Sequence, residues 1–180
     1  LGVVVVAWLQ RLRAISLTTV IAVIAGALFS FAASHPCQHE SAYYCAYVEA
    51  DPERAHGYAL WLDTLRHSYV DLADPSHLEF DYTRLFGDVA DTLRPEGEPV
   101  AALHVGGGGF TMPRYLRETR PGSEHLVLEL DPLLLDISTD ELALELGDDI
   151  DVLTGDARLS IREAPEDAFD LVIGDAFGGI

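Results

Sequence analysis

Four consecutive glycines, Gly106–Gly109, sit between the apolar run "VAALHV" (100–105) and the helix-like "TMPRYLRET" (111–119). Glycines directly after a strand let the chain turn sharply and let a ligand approach the backbone, and the following helix start offers free N–H groups. The spacing Gly106-x-Gly108-x-x-Thr111 matches the dinucleotide pattern G-x-G-x-x-G only in part. The residues that follow keep the same rhythm. "EHLVLEL" (124–130), "DIDVLTG" (149–155) and "AFDLVIGDA" (168–176) read as strands. "LLLDISTDELALEL" (133–146, in part) and "ARLSIREA" (157–164) read as helices. Strands alternating with helices over short connections predict an α/β fold with a parallel sheet.

Acidic residues recur where those strands end, and ligands of open α/β sheets bind outside the carboxyl ends of strands. Glu129, 23 residues after Gly106, can accept hydrogen bonds from both ribose hydroxyls of a nucleotide. Asp156 in "TGDA" can accept from an adenine amino group or cap the next helix, and Asp175 in "VIGDAF" ends the fourth strand. Asp131 reads as a helix N-cap. His104, inside the first strand, reads as a hydrogen-bonded core histidine, and Trp61 and Phe80 as core. Ser123 and Ser160 lack the G-x-S-x-G context of a hydrolase nucleophile, and "GDDIDV" reads as a loop and strand start.

Charge narrows the chemistry. Thirty acidic residues face eleven basic ones, for a formal charge of −19. Phosphate binding needs clustered Lys and Arg, so nucleic acid is excluded as a partner. All eleven basic residues are Arg, which removes a P-loop lysine, a Schiff-base lysine and a lysine general base. An acidic surface suits a cationic small molecule such as a polyamine, and equally suits a solubilising role. Cys37 and Cys45 allow one local bridge in an oxidising compartment. Although His35 and His39 lie beside them, the paired C-x₂₋₄-C spacing of a closed zinc site is missing, so no metal is expected.

Three regions follow from the pattern: 1–35, 41–95 and 96–180. Ala14–Ser34 holds 21 residues without a charge, long enough for a transmembrane helix. The apolar start "LGVVVVAWL" and the basic turn "QRLR" favour a retained membrane anchor over a signal peptide. That implies a membrane-anchored chain, with the side of the soluble part left open by only two arginines, Arg11 and Arg13. In the second region "YYCAYVEA" (43–50) and "GYALWLD" (57–63) predict a β-hairpin, and "SYVDLADPSH" a loop. "LEFDYTRLFGDVADTL" (78–93) predicts a helix with Phe80, Leu85, Phe86, Val89 and Leu93 on one side, and "RPEGEP" a boundary near 95.

The stretches "HVGGGGFTMPRYL", "VLELDPLL", "VLTGDARLSI" and "DAFDLVIGDAF", with "GYALWLD" and "LEFDYTRLF" before them, resemble the spermidine synthase family of polyamine aminopropyltransferases over residues 41–179. The membrane segment resembles bacterial members fused to membrane domains, which implies the bacterial cell membrane as the location. The resemblance implies a class I methyltransferase-like, Rossmann-like sheet preceded by a small β-hairpin domain. It also implies aminopropyl transfer from decarboxylated S-adenosylmethionine to a polyamine such as putrescine, without a metal. Gly106, Gly107, Gly108 and Ala157 would line the co-substrate, Glu129 would hold its ribose and Asp156 its adenine. Asp175 would orient the attacking amine and take its proton, with Tyr82 as partner and His67 on the substrate side; a carboxylate suits that task because an ammonium cannot attack carbon.

Departures accompany the match. Gly109 stands where the family keeps Asp, Gly178 where it keeps a second Asp, His67 where it has a glutamine, and Thr83 follows the tyrosine. The family's sheet would continue with three more strands beyond Ile180, so a truncated form with poor activity of its own is expected. The rival readings are a methyltransferase-like protein using S-adenosylmethionine and a non-catalytic nucleotide-binding module; a homo-oligomer stays open.

Overall fold

Residues 17–32 and 37–176 are described by the structure, a computed structural model. They fall into two units, 1–36 and 37–180. The first contains one helix, α1 (Leu17–Ala32), built from uncharged, largely apolar residues. Its 16 residues rise about 24 Å, against the ~30 Å of a bilayer core. No helix among the described residues is long and apolar enough to cross a membrane. The expected 21-residue span lies only partly within the described residues: 17–32 form this helix, whereas residues 14–16 and 33–34, like Arg11 and Arg13, lie outside them.

The second unit begins with an antiparallel sheet of β1 (His39–Glu40), β2 (Cys45–Ala50), β3 (Gly57–Leu62) and β4 (Leu65–Asp71), in that order. The expected hairpin is the β2–β3 pair, with Tyr47 opposite Trp61 and their rings stacked 5.8 Å apart. Trp61 and Phe80 are half-buried against aromatic neighbours rather than placed in the core. The expected loop over 68–77 is corrected in its first half, because Ser68–Asp71 belong to β4. There Ser68, Tyr69, Val70 and Asp71 are all buried, so the strand lacks the alternation that marks a half-buried one. A disulfide joins Cys37 to Cys45.

Helix α2 (Asp81–Leu93) then leads into a parallel sheet. Its strands are β5 (Ala101–Val105), β6 (Glu124–Glu129), β7 (Ile150–Thr154) and β8 (Leu171–Gly174). They are connected by α3 (Thr111–Thr119), α4 (Pro132–Asp140) and α5 (Ala157–Ser160). The spatial order β7-β6-β5-β8 is all parallel. The chain reverses direction across the sheet between β5 and β8, which opens a crevice above their carboxyl ends. The helix expected over 133–146 stops at Asp140, and Ala143 adopts a left-handed φ of 50°.

Two cores lie beside the parallel sheet. Leu78, Ala90, Val100, Ala102, Met112, Leu116, Leu171 and Ile173 form one, beneath α2 and α3. Phe110, Val127, Leu144 and Ile150 form the other. A third cluster joins Ala46, Leu60 and Leu62 of the antiparallel sheet to Leu134 and Ile137 of α4, so the two sheets share apolar burial. Helix α2 does not bury the side its large residues suggest. Leu85, Val89 and Leu93 are exposed, whereas Thr83, Gly87 and Ala90 face inward. Close approach explains the choice: a Cβ on Gly87 would come 3.0 Å from Leu78 and 3.2 Å from the Tyr115 hydroxyl.

His104 is buried as expected, and its Nε2 lies 3.2 Å from Nδ1 of the equally buried His125. Burial pushes both imidazoles down, His104 to about 3 and His125 to about 4. Below pH 6.5 the unfolded chain therefore takes up protons that the folded chain refuses. The pair's contribution is complete above 6.5 and is lost as pH falls towards 4. Thermal melts of the full chain should lose roughly 5–10 °C between pH 7 and pH 4.5. A His104→Gln, His125→Gln double variant should show a clearly shallower pH slope.

Candidate active site

Every N–H of the glycine run is committed inside the protein. Gly106 donates to the Leu128 carbonyl at 2.9 Å. Gly107 and Gly108 donate to Oε2 of Glu129 at 2.7 and 3.1 Å, and Gly109 to Oγ of Ser68 at 3.1 Å. The carbonyls are held too: Gly107 accepts from Phe110 N–H, Gly108 from the Ser138 hydroxyl and Gly109 from the Arg114 guanidinium. Gly106 has φ +101°, and a Cβ there would lie 2.3 Å from the Asp175 carbonyl, so only glycine lets β5 and β8 end so close together. Phe110 also takes a left-handed φ of 58°, held in place by a fully buried ring.

Glu129 is the hub. Buried at the end of β6, it accepts from Gly107 and Gly108 on one oxygen and from Asp131 N–H at 2.9 Å on the other. A carboxylate offers about four acceptor positions. Three are in use, which leaves about one acceptor position for a further donor, where the sequence reading expected two. Asp131 caps α4, as expected from the sequence, by accepting from Leu133 N–H at 3.1 Å, and it also accepts from the Ser41 hydroxyl. Asp156 caps α5 and accepts from the Arg158 side chain, whose hydrogen bonds pull its carboxyl down to about 2.

These elements surround a cavity of about 660 Å³ above the strand ends. His67, Gly106, Gly108, Glu129, Asp156, Ala157 and Asp175 line it. Gly107 adjoins it through Glu129, and Tyr82 through a 3.2 Å hydrogen bond from its hydroxyl to Oδ2 of Asp175. All nine residues singled out from the sequence thus converge on one place. Burial pushes the Asp175 carboxyl up, offset in part by His67 and by the Tyr82 hydrogen bond, and it pushes the Tyr82 phenol up as well. Stacking on Phe80 and an edge contact with Phe86 hold the Tyr82 ring. His67 is pushed down by burial against the opposing pull of Asp175 and Glu129.

Sequence reasoning missed the supports. Ser68, Arg114 and Ser138 position the glycine turn, and Tyr43, Tyr44, Leu62 and Leu134 wall the cavity from the antiparallel sheet and α4. Among the departures, Thr83 does not line the cavity; it is buried and bonds back to the Phe80 carbonyl. Gly109 packs with its Cα against Ser68, where an added Cβ would come 3.0 Å from the serine Cβ. Gly178 lies outside the described residues. His35 does as well, while His39 pairs with Glu141, and no cluster of three or more candidate metal ligands occurs among the described residues. Ser123 and Ser160 are spent on main-chain carbonyls, and Asp149 of the acidic run binds Arg117 through both oxygens.

No family model matches the chain. Among solved structures it is similar to a probable spermidine synthase from Corynebacterium glutamicum ATCC 13032. The TM-score is 0.70 and the identity 26%, over 79% of this chain and 52% of that one. Among curated proteins it is 32% identical to the polyamine aminopropyltransferase of Vibrio vulnificus (strain CMCP6), over 84 residues, 46% of this chain and 28% of the relative. It is 31% identical to the eEF1A lysine and N-terminal methyltransferase of Danio rerio, over 93 residues, 47% of this chain and 13% of the relative. The matched region therefore spans about half of the solved relative and under a third of the curated ones. In fold and in sequence, the chain resembles the spermidine synthases, the polyamine aminopropyltransferase family.

Proposed function

We propose that this chain binds an S-adenosyl-type nucleoside in the cavity and transfers its aminopropyl group to a small amine. The observation that carries this reading is the commitment of all four glycine N–H groups to protein acceptors. A turn that cradles a pyrophosphate must keep such groups free, and this one aims a carboxylate at them instead. Three acids, Glu129, Asp156 and Asp175, face the cavity, and its single arginine, Arg158, is already paired with Asp156. Such a surface repels phosphates and attracts cations.

A decarboxylated S-adenosylmethionine fits these residues: a sulfonium, a primary ammonium and a ribose, with no anionic group to place. When bound, it supplies a carbon activated by the adjacent sulfonium. Asp175 takes a proton from the incoming ammonium; its raised pKa suits a base that must also release that proton. Tyr82 stays a neutral phenol and holds Oδ2 in place. Attack by the neutral amine forms the C–N bond as the C–S electron pair returns to sulfur, leaving a thioether and a secondary ammonium. Methyl transfer from S-adenosylmethionine is the second reading, favoured by the 31% match to a methyltransferase. It would have to seat a carboxylate among the same acids.

Calorimetry of the full chain separates the two. Decarboxylated S-adenosylmethionine should bind at least ~10-fold more tightly than S-adenosylmethionine, a difference of about 1.4 kcal/mol. The reverse order would favour methyl transfer, and no binding of either would sink both. Glu129→Ala should abolish nucleoside binding, since it removes the ribose acceptor and frees two glycine amides.

For turnover, Asp175→Asn should cost roughly 10²–10⁴-fold while leaving nucleoside affinity within about threefold. Because Asp175 works as a base, the rate should rise with pH through its elevated pKa and then level off. A rate indifferent to Asp175→Asn would remove it from proton transfer.

A further inference from the structure

His67 does not enter the chemistry above, yet the structure fixes what it can offer. Its Nδ1 lies 2.9 Å from Oγ of Ser68, and that oxygen also receives the Gly109 N–H at 3.1 Å. Ser68 is buried, and its hydroxyl proton has one acceptor within reach among the described residues, Nδ1 of His67. Nδ1 is thus an acceptor, and in a neutral imidazole the ring proton must sit on Nε2. Burial keeps the ring neutral, as its lowered pKa indicates. Nε2 takes no partner among the described residues and is not sealed away, and His67 lines the cavity with its ring against Gly108, where an added Cβ would come 2.9 Å from its Cε1.

We infer that His67, locked as the Nε2–H tautomer by the Gly109–Ser68 chain, is a specificity-determining donor that selects an acceptor amine carrying a neutral oxygen over a diamine. A donor cannot accept from the second ammonium of a diamine. The oxygen it meets must also be uncharged, because Glu129 and Asp175 lie close enough to act on the ring and would repel a carboxylate. Hydroxyl, ether and amide oxygens meet both conditions. The inference takes the transfer reaction proposed above as its setting, while the tautomer stands on hydrogen bonding alone.

Two measurements test it. Long-range ¹H–¹⁵N spectra of the ¹⁵N-histidine-labelled full chain at pH 7.5, assigned with His67→Gln, should show Nε2 protonated and Nδ1 bare. A protonated Nδ1 or an imidazolium overturns the inference whatever the nucleoside does. 4-Aminobutan-1-ol and 1,4-diaminobutane are then titrated with and without methylthioadenosine. The amino alcohol should bind at least tenfold more tightly, and His67→Gln, whose amide both donates and accepts, should cut that preference to threefold or less. Equal or tighter binding of the diamine, or a preference unchanged in His67→Gln, overturns it. Loss of methylthioadenosine binding alone would count against the transferase reading and leave the amine ratio readable. Ser68→Ala, which frees Nδ1 to exchange tautomers, should weaken the preference.

Discussion

One carboxylate organises the end of this molecule where the glycine turn meets the strand ends. Glu129 draws two amides of the glycine turn and the amide of Asp131 onto a single buried group, so the ends of β5 and β6 and the start of α4 share one anchor. Hydrogen bonds to a charged acceptor are about twice as strong as neutral ones, and three converge here. The arrangement has a chemical consequence beyond stability. A turn that would otherwise present positive main-chain dipoles presents a carboxylate instead.

The parallel half of the fold was readable because its strands are short apolar runs punctuated by glycines and acids, and each run corresponds to one observed strand. The same punctuation exposed the site, since Glu129, Asp156 and Asp175 fall where strands end, which is where an open sheet binds ligands. What escaped was set by packing. Strand β4 is buried on both faces towards its end, so Ser68–Asp71 lack alternation. Helix α2 turns its small residues inward because Gly87 must pass Leu78 and Tyr115, a constraint that a count of apolar residues inverts. The long apolar N-terminal stretch reads as a bilayer span by hydropathy, and its described part, a 16-residue helix, is not long enough to cross a membrane.

The supports of the site escaped for a related reason. Ser68, Arg114 and Ser138 come from three different elements, and each acts through a main-chain atom of the glycine turn. Ser68 and Ser138 lie 41 and 30 positions from the glycines they hold, and no spacing rule links residues so far apart. Arg114 is telling: burial pushes its guanidinium down to about 10, and it spends its donors on the carbonyls of Gly109, Ser138 and Leu142. A half-buried cation bonded to carbonyls alone carries a desolvation cost, and here it ties the turn to the far end of α4.

The antiparallel sheet is therefore part of the site and not an appendage to it. Its Leu60 and Leu62 pack on α4, its Ser68 takes the last glycine amide, and its Tyr69 carbonyl accepts from Thr111 at the start of α3. Gly109 follows from this contact. Any side chain there would press on Ser68, and displacing Ser68 would release both the turn and the imidazole beside it. The missing acid at position 109 is thus compensated by a hydroxyl from another strand. A neutral hydrogen-bond chain then runs from Gly109 through Ser68 to His67 in the cavity lining.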